Sequence, residues 1–129
     1  MGAKTWQFSS AKSWQEIGKG FRDGMGSWKG PVLYRMITRL SFEKGGTEHE
    51  NAFAELDGES EDKFNVVAVA THGPTGMQSR LWLRLNETDS GTKGKIVFDK
   101  GSGSFAKNLA DSAFAAIRAV DPSVDFKKR

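Results

Sequence analysis

From Pro31 to Asp99 the chain is a succession of short runs in which apolar and polar residues alternate, each closed by a turn rich in glycine or acid. A period of two fits an extended strand with one packed face and one wet face, and it cannot form a single stripe along a helix. In "PVLYRMITRLSFE" (31–43), Val32, Tyr34, Met36, Leu40 and Phe42 fall on one side, while Arg35, Arg39 and Glu43 fall on the other. In "SRLWLRLNE" (79–87), Leu81, Leu83 and Leu85 oppose Arg80, Trp82 and Arg84. "EHENAFAEL" (48–56) reads as a more polar strand and "KIVFD" (95–99) as a short last one. "KFNVVAVAT" (63–71) is apolar on both faces, which predicts a strand inside the sheet. The connections "KGGT", "DGESED", "HGPTG" and "TDSGTKG" are turns by composition.

Two helical patterns flank these runs. "SWQE" (13–16) is a capping box, in which the Ser13 hydroxyl accepts from a free amide of the first turn and Glu16 reaches back to the cap. Trp14, Ile17 and Phe21 then share one face, and the helix is expected to stop near Gly24. Towards the C-terminus, Ala106, Leu109, Ala110, Ala113, Phe114, Ile117 and Val120 form an unbroken apolar stripe, with Ser104 as its cap. Asp121-Pro122 ends it, because the residue before proline is pushed out of the helical region. Ahead of the first helix, "KTWQFS" alternates Trp6 and Phe8 with polar residues and reads as a strand.

The expected architecture is one α+β domain over residues 1–129. An antiparallel sheet of about five to six strands carries two helices on one face, in the order β-α-β-β-β-β-β-α. This order resembles the helix-grip arrangement of the START/Bet v 1-like superfamily, in which a curved sheet wraps a long C-terminal helix. The resemblance is one of topology and covers most of the chain without a diagnostic motif. It implies an apolar ligand held between sheet and helix. A TATA-binding-protein-like sheet with two helices has nearly the same order.

Composition narrows the chemistry. With no cysteine there is no disulfide, thiolate metal site or cysteine nucleophile. No apolar run approaches the roughly 20 residues of a membrane-spanning helix. "MGAKTWQFSS" lacks the apolar core of a secretory signal, and Trp6 stands where N-myristoylation needs Ser or Thr. A soluble, cytoplasmic protein is the expectation. The net charge of +3 is mild, and the closing "FKKR" reads as a short solvated basic tail.

"GKGFRDGMGSWKG" (18–30) packs five glycines with three cations but matches neither the P-loop nor the dinucleotide fingerprint. It follows a helix instead of preceding one, and a helix C-terminus repels phosphate. A helix stop, and at most a mobile lid, is the reading. His49 sits between Glu48 and Glu50, whose side chains in a strand point away from its own, so the three cannot share a metal. His72 lies in a turn with no nucleophile or orienting carboxylate nearby, and the acidic turn 57–62 lacks the EF-hand order. Neither a catalytic constellation nor a cofactor or metal motif emerges, so the expectation is a non-catalytic binding module.

Three bindings remain open. The leading one places an apolar small molecule between sheet and helices, lined by Trp14, Phe21, Met36 and Phe114. The alternative uses the opposite face, where Arg35, Arg39, Arg80, Trp82 and Arg84 supply cations for phosphates and an indole for a base of single-stranded nucleic acid. Against it stand Glu50, Glu55 and Glu87, which can neutralise those arginines across strands. The third is contact with another protein chain, or self-association, through a sheet edge or Trp82.

Overall fold

A computed structural model describes residues 4–26, 28, 38–44, 47–48, 63–72, 78–98 and 103–128. Its elements run β1 (Lys4–Ser10), α1 (Trp14–Gly26), β2 (Thr38–Lys44), β3 (Thr47–Glu48), β4 (Lys63–His72), β5 (Gln78–Thr88), β6 (Gly91–Phe98), α2 (Gly103–Val120) and β7 (Lys127–Lys128). The strands form one sheet in the order β3-β2-β4-β5-β6-β1-β7, and every pairing is antiparallel. This is the α+β class that the alternating runs predict. The meander from β4 to β6 is local, whereas β1 closes against β6 from the far end of the chain.

The core lies between one sheet face and the two helices. Phe64, Val66, Ala68 and Ala70 of β4, Leu81, Leu83 and Leu85 of β5, and Ile96 of β6 pack with Ile17 and Phe21 of α1 and Leu109, Ala113 and Ile117 of α2. Each such large side chain contributes about 1.5–3 kcal/mol when withdrawn from water. Val67 and Val69, on the other face of β4, are buried as well. The doubly apolar sequence of this strand thus fits a position covered on both faces, so the sheet face opposite the helices is open from β5 to β7 and not at β4.

Local signals set the helix ends. Ser13 Oγ accepts from the Glu16 amide at 3.2 Å, and Glu16 Oε2 accepts from the Ser13 amide at 3.0 Å. α1 runs past Gly24 to Gly26. Its glycines serve helix packing: a Cβ on Gly24 would meet the Ala116 Cβ at 2.4 Å, and one on Gly20 would meet Val120 Cγ2 at 2.0 Å. α2 begins at Gly103, so Ser104 lies inside its first turn, and the helix stops before Asp121-Pro122 as expected.

The C-terminus departs from the expected solvated tail. Asp121 accepts from Ser10 Oγ at 2.6 Å and from the Ser123 hydroxyl and amide at 2.6 and 3.1 Å. Phe126 packs on Phe114 and Phe8, with ring centroids 4.6 and 5.2 Å away, and the Arg118 guanidinium lies 4.9 Å from its centroid. Lys127 and Lys128 then pair with Gln7 and Trp6 as an edge strand. Aromatic packing and a shared carboxylate hold down a segment whose charge alone suggested solvent.

Candidate functional site

Two surfaces carry the residues singled out in the sequence. On the helix side, Trp14 and Phe21 are fully buried on α1, and Phe114 is half-buried on α2. Trp14 and Phe21 belong to one core and Phe114 packs against it, with different ring partners: Trp14 lies near Phe64, Phe21 meets Phe42, and Phe114 joins Trp6 and Phe126. Met36, the fourth expected lining residue, lies outside the described residues. Among the described residues one buried side-chain polar atom is unsatisfied. The indole N–H of Trp14 is buried without a hydrogen-bond partner, whereas that of Trp28 donates to Asn108 Oδ1 at 2.7 Å. A buried unpaired donor costs about 1–3 kcal/mol.

The opposite sheet face is built by register. Leu81, Leu83, Leu85, Thr92, Gly94 and Ile96 point into the molecule, so the residues between them point out. Arg84 stands directly opposite Lys95, which stands opposite Gln7, which stands opposite Lys127. This row crosses four strands, roughly 14 Å at about 4.8 Å per strand. The neighbouring row holds Asn86, Lys93 and Ser9, and the one on the other side holds Trp82, Val97 and Thr5. Arg84, Lys93 and Lys127 are exposed, and Lys95 and Trp82 are half-buried. Arg80, two residues from Trp82, donates to Gln78 Oε1 at 3.3 Å.

By register Glu43 of β2 and Glu48 of β3 stand in the same row as Val67 and Trp82, so the one-sided charge is confined to the β5–β6–β1–β7 part of this face. On β1, β5, β6 and β7 its described side chains include Arg80, Arg84, Lys93, Lys95 and Lys127 and no acid. Among the described residues, none of Arg84, Lys93, Lys95 and Lys127 forms an ion pair. Like charges placed directly opposite destabilise a sheet, so the charges of the Arg84–Lys95 pair do not stabilise the fold. Such a face can bind an anion of extended shape, with lysines and arginines on its charges and the Trp82 ring against an apolar or aromatic group.

Of the expected basic residues, Arg80, Trp82 and Arg84 are thus brought together on β5. Arg39 is on β2, paired in register with Thr71 and separated from β5 by β4; its side chain lies outside the described ones. Arg35, Glu50 and Glu55 lie outside the described residues too, as do His49 and the acidic turn 57–62. Glu87, expected to neutralise arginines, sits on the alternate face of β5 from Arg84. Lys93, Lys95 and Lys127 were not among the expected site residues. The alternation in "GTKGKIVF" carries the signal for the first two; the third depends on the long-range pairing of β7.

Beside this face a depression of about 350 Å³ opens where β7 leaves β1, lined by Gln7, Phe8, Ser9, Lys93, Ser123, Asp125 and Lys127. Among the described residues the one titration clearly displaced is that of Asp121, which holds the lining residue Ser123. The Ser10 hydroxyl and then the Ser123 hydroxyl hold its carboxyl below the usual range, with burial opposing them. Among the described residues no group of three or more His, Asp or Glu is placed to hold a metal, and no helix is long and apolar enough to cross a membrane. No protein-family model, curated protein or solved structure matches the chain, so its own geometry carries the functional argument.

Proposed function

We propose that the protein is a non-catalytic module that binds single-stranded nucleic acid on the sheet face opposite its helices. The observation that carries this reading is the direct opposition of Arg84 and Lys95, extended by Lys93 and Lys127 and bordered by Trp82, with no described acid on that face of β5, β6, β1 or β7. Phosphates engage the cations along the row, and a base stacks on the exposed part of the indole. A single strand suits a broad sheet with one aromatic better than a duplex does, because its bases are free to leave their neighbours. Fluorescence anisotropy with a labelled oligothymidylate tests the reading. Binding should be lost in the double variant Arg84→Glu with Lys95→Glu while its thermal unfolding stays cooperative. Unchanged binding by that variant would overturn it.

A second reading, an apolar small molecule between sheet and helices, has one observation in its favour: the unpartnered N–H of buried Trp14. A ligand bearing one acceptor would satisfy it, in keeping with sites that are apolar apart from a few polar groups. Native mass spectrometry of gently purified protein separates this reading from the first. Retained mass from a small apolar molecule, lost in Trp14→Phe, supports it; the bare chain mass from every preparation counts against it.

A further inference from the structure

The basic row has two flanks, and they differ in chemistry. On one side, two residues along each strand, stand Trp82, Val97 and Thr5, paired in register across β5, β6 and β1 and without charge. Each is half-buried, so an indole, an isopropyl group and a threonine methyl lie within reach of the surface. On the other side stand Asn86, Lys93 and Ser9, all exposed and polar. Residues two apart on one strand are about 7 Å from each other. That is comparable to the reach of a nucleotide from its phosphate to its base.

The rows also have ends. Towards β4 the apolar row meets Val67, buried on that same face, and beyond it come the register positions of Glu43 and Glu48. At the other margin the basic row ends at Lys127 on the outermost strand, with the exposed Asp125 two residues before it. The open lane is thus four strands wide, and it crosses the strands instead of following one. A phosphodiester backbone laid on Arg84, Lys95 and Lys127 runs perpendicular to the β-strands, with its bases to one flank. Lys93 makes the polar flank a second place for phosphate. The apolar flank is the one from which a base displaces water favourably.

We infer that a bound strand crosses the sheet at right angles to the β-strands with its bases on the Trp82 flank, and that Val97 and Thr5 contact bases beside that indole. A lane of roughly 14 Å holds at most about four nucleotides, at about 3.4 Å per phosphate. The ligand class is therefore a short unpaired stretch with its bases turned to one side of the backbone. The inference rests on the nucleic-acid reading of this face and adds to it a direction, a footprint and two residues.

The footprint is tested by the affinity of the full chain for labelled oligothymidylates of increasing length. Affinity should rise steeply up to about four nucleotides, and beyond that only with the number of positions a longer strand offers. A steep rise that continues to twice that length would overturn the footprint. The flanks are compared by two double variants. Val97→Ser with Thr5→Ser should weaken oligothymidylate binding by roughly four- to fifteenfold, the scale of one or two methyl groups left in water, and should leave its salt dependence unchanged. Asn86→Ala with Ser9→Ala should change affinity little. Equal effects, or the reverse order, would overturn the placement of the bases. Ultraviolet cross-linking of oligothymidylate to the wild-type chain needs no variant to fold. Adducts mapped by mass spectrometry should fall on Trp82, Val97 or Thr5, and adducts confined to Asn86, Lys93 and Ser9 would also overturn it. Salt-sensitive binding that is lost in Arg84→Glu with Lys95→Glu, yet indifferent to both flank variants, keeps the nucleic-acid reading and removes this inference. Absence of binding at every length removes both.

Discussion

Arg84 and Lys95 stand directly opposite each other on neighbouring antiparallel strands, on the face turned away from both helices. Their register is fixed by the buried neighbours Leu83, Leu85, Gly94 and Ile96, so the two positions stay opposed as long as the core is intact. The charges of this pair repel across the sheet, and an anion bound on this face would complement them.

That repulsion is measurable. Lys95→Glu converts a like-charge pair into an opposite-charge one, and the free protein should gain roughly 0.2–1 kcal/mol. The same substitution should weaken oligonucleotide binding. Urea unfolding and anisotropy on one preparation check both, and a drop in stability would contradict the account of this pair.

Trp82 acts differently from the cations. Its replacement by Ala should weaken single-strand binding by about 1–3 kcal/mol, the worth of one base stacked on an aromatic ring. The salt dependence should stay as it was, because no phosphate contact is lost. A changed salt dependence in Trp82→Ala would remove the stacking role.

The helix crossing makes a prediction independent of function. Gly24→Ala forces a methyl against Ala116, where its Cβ would lie 2.4 Å from one side-chain carbon and 3.0 Å from the Cα. Overpacking of this kind costs about 1–3 kcal/mol and outweighs the gain of about 1 kcal/mol in helix propensity. Gly20→Ala should cost less, since its nearest contact is a methyl of the half-buried Val120 side chain. Gly26 has nothing within 4 Å of such a Cβ, so Gly26→Ala should be neutral or stabilising. Thermal unfolding ranks the three, and Gly24→Ala unfolding no lower than Gly26→Ala would contradict this packing.

Asp121 fixes a pH dependence. Hydrogen bonds from Ser10 and Ser123 lower its folded-state pKa, so the folded chain binds this proton less readily than the unfolded one. The resulting stability is fully present above the unfolded carboxylate value of about 4 and disappears as pH falls through the lower folded value. Urea midpoints of the wild-type chain and Asp121→Asn should therefore differ at pH 6 and converge at acid pH. A constant gap between them would rule out this source of stability.

How much of this was legible in the sequence follows the range of each interaction. The Ser13–Glu16 capping box, the apolar stripe of α2 and the alternation of β5 are set within a few residues, and all three stand in the structure. α1 ends at Gly26, close to the stop expected near Gly24, and Gly24 itself serves a contact with Ala116, far along the chain. The site divides the same way. Arg80, Trp82 and Arg84 are visible from one strand. Their joining to Lys95 depends on β5–β6 register, and the addition of Lys127 on a strand that only the Asp121 and Phe126 contacts bring beside β1. The sequence showed a basic strand; the pairing of distant strands makes it a basic surface.

The most direct test of the central claim is the salt dependence of oligothymidylate binding to the wild-type chain and to Arg84→Ala. Four or five phosphate contacts predict a slope of about −3 in a plot of log affinity against log salt, at about 0.7 per contact for a single strand. Arg84→Ala should make that slope shallower by about 0.7. A wild-type affinity indifferent to salt, or a slope that Arg84→Ala leaves unchanged, would contradict the assignment of this face to nucleic acid.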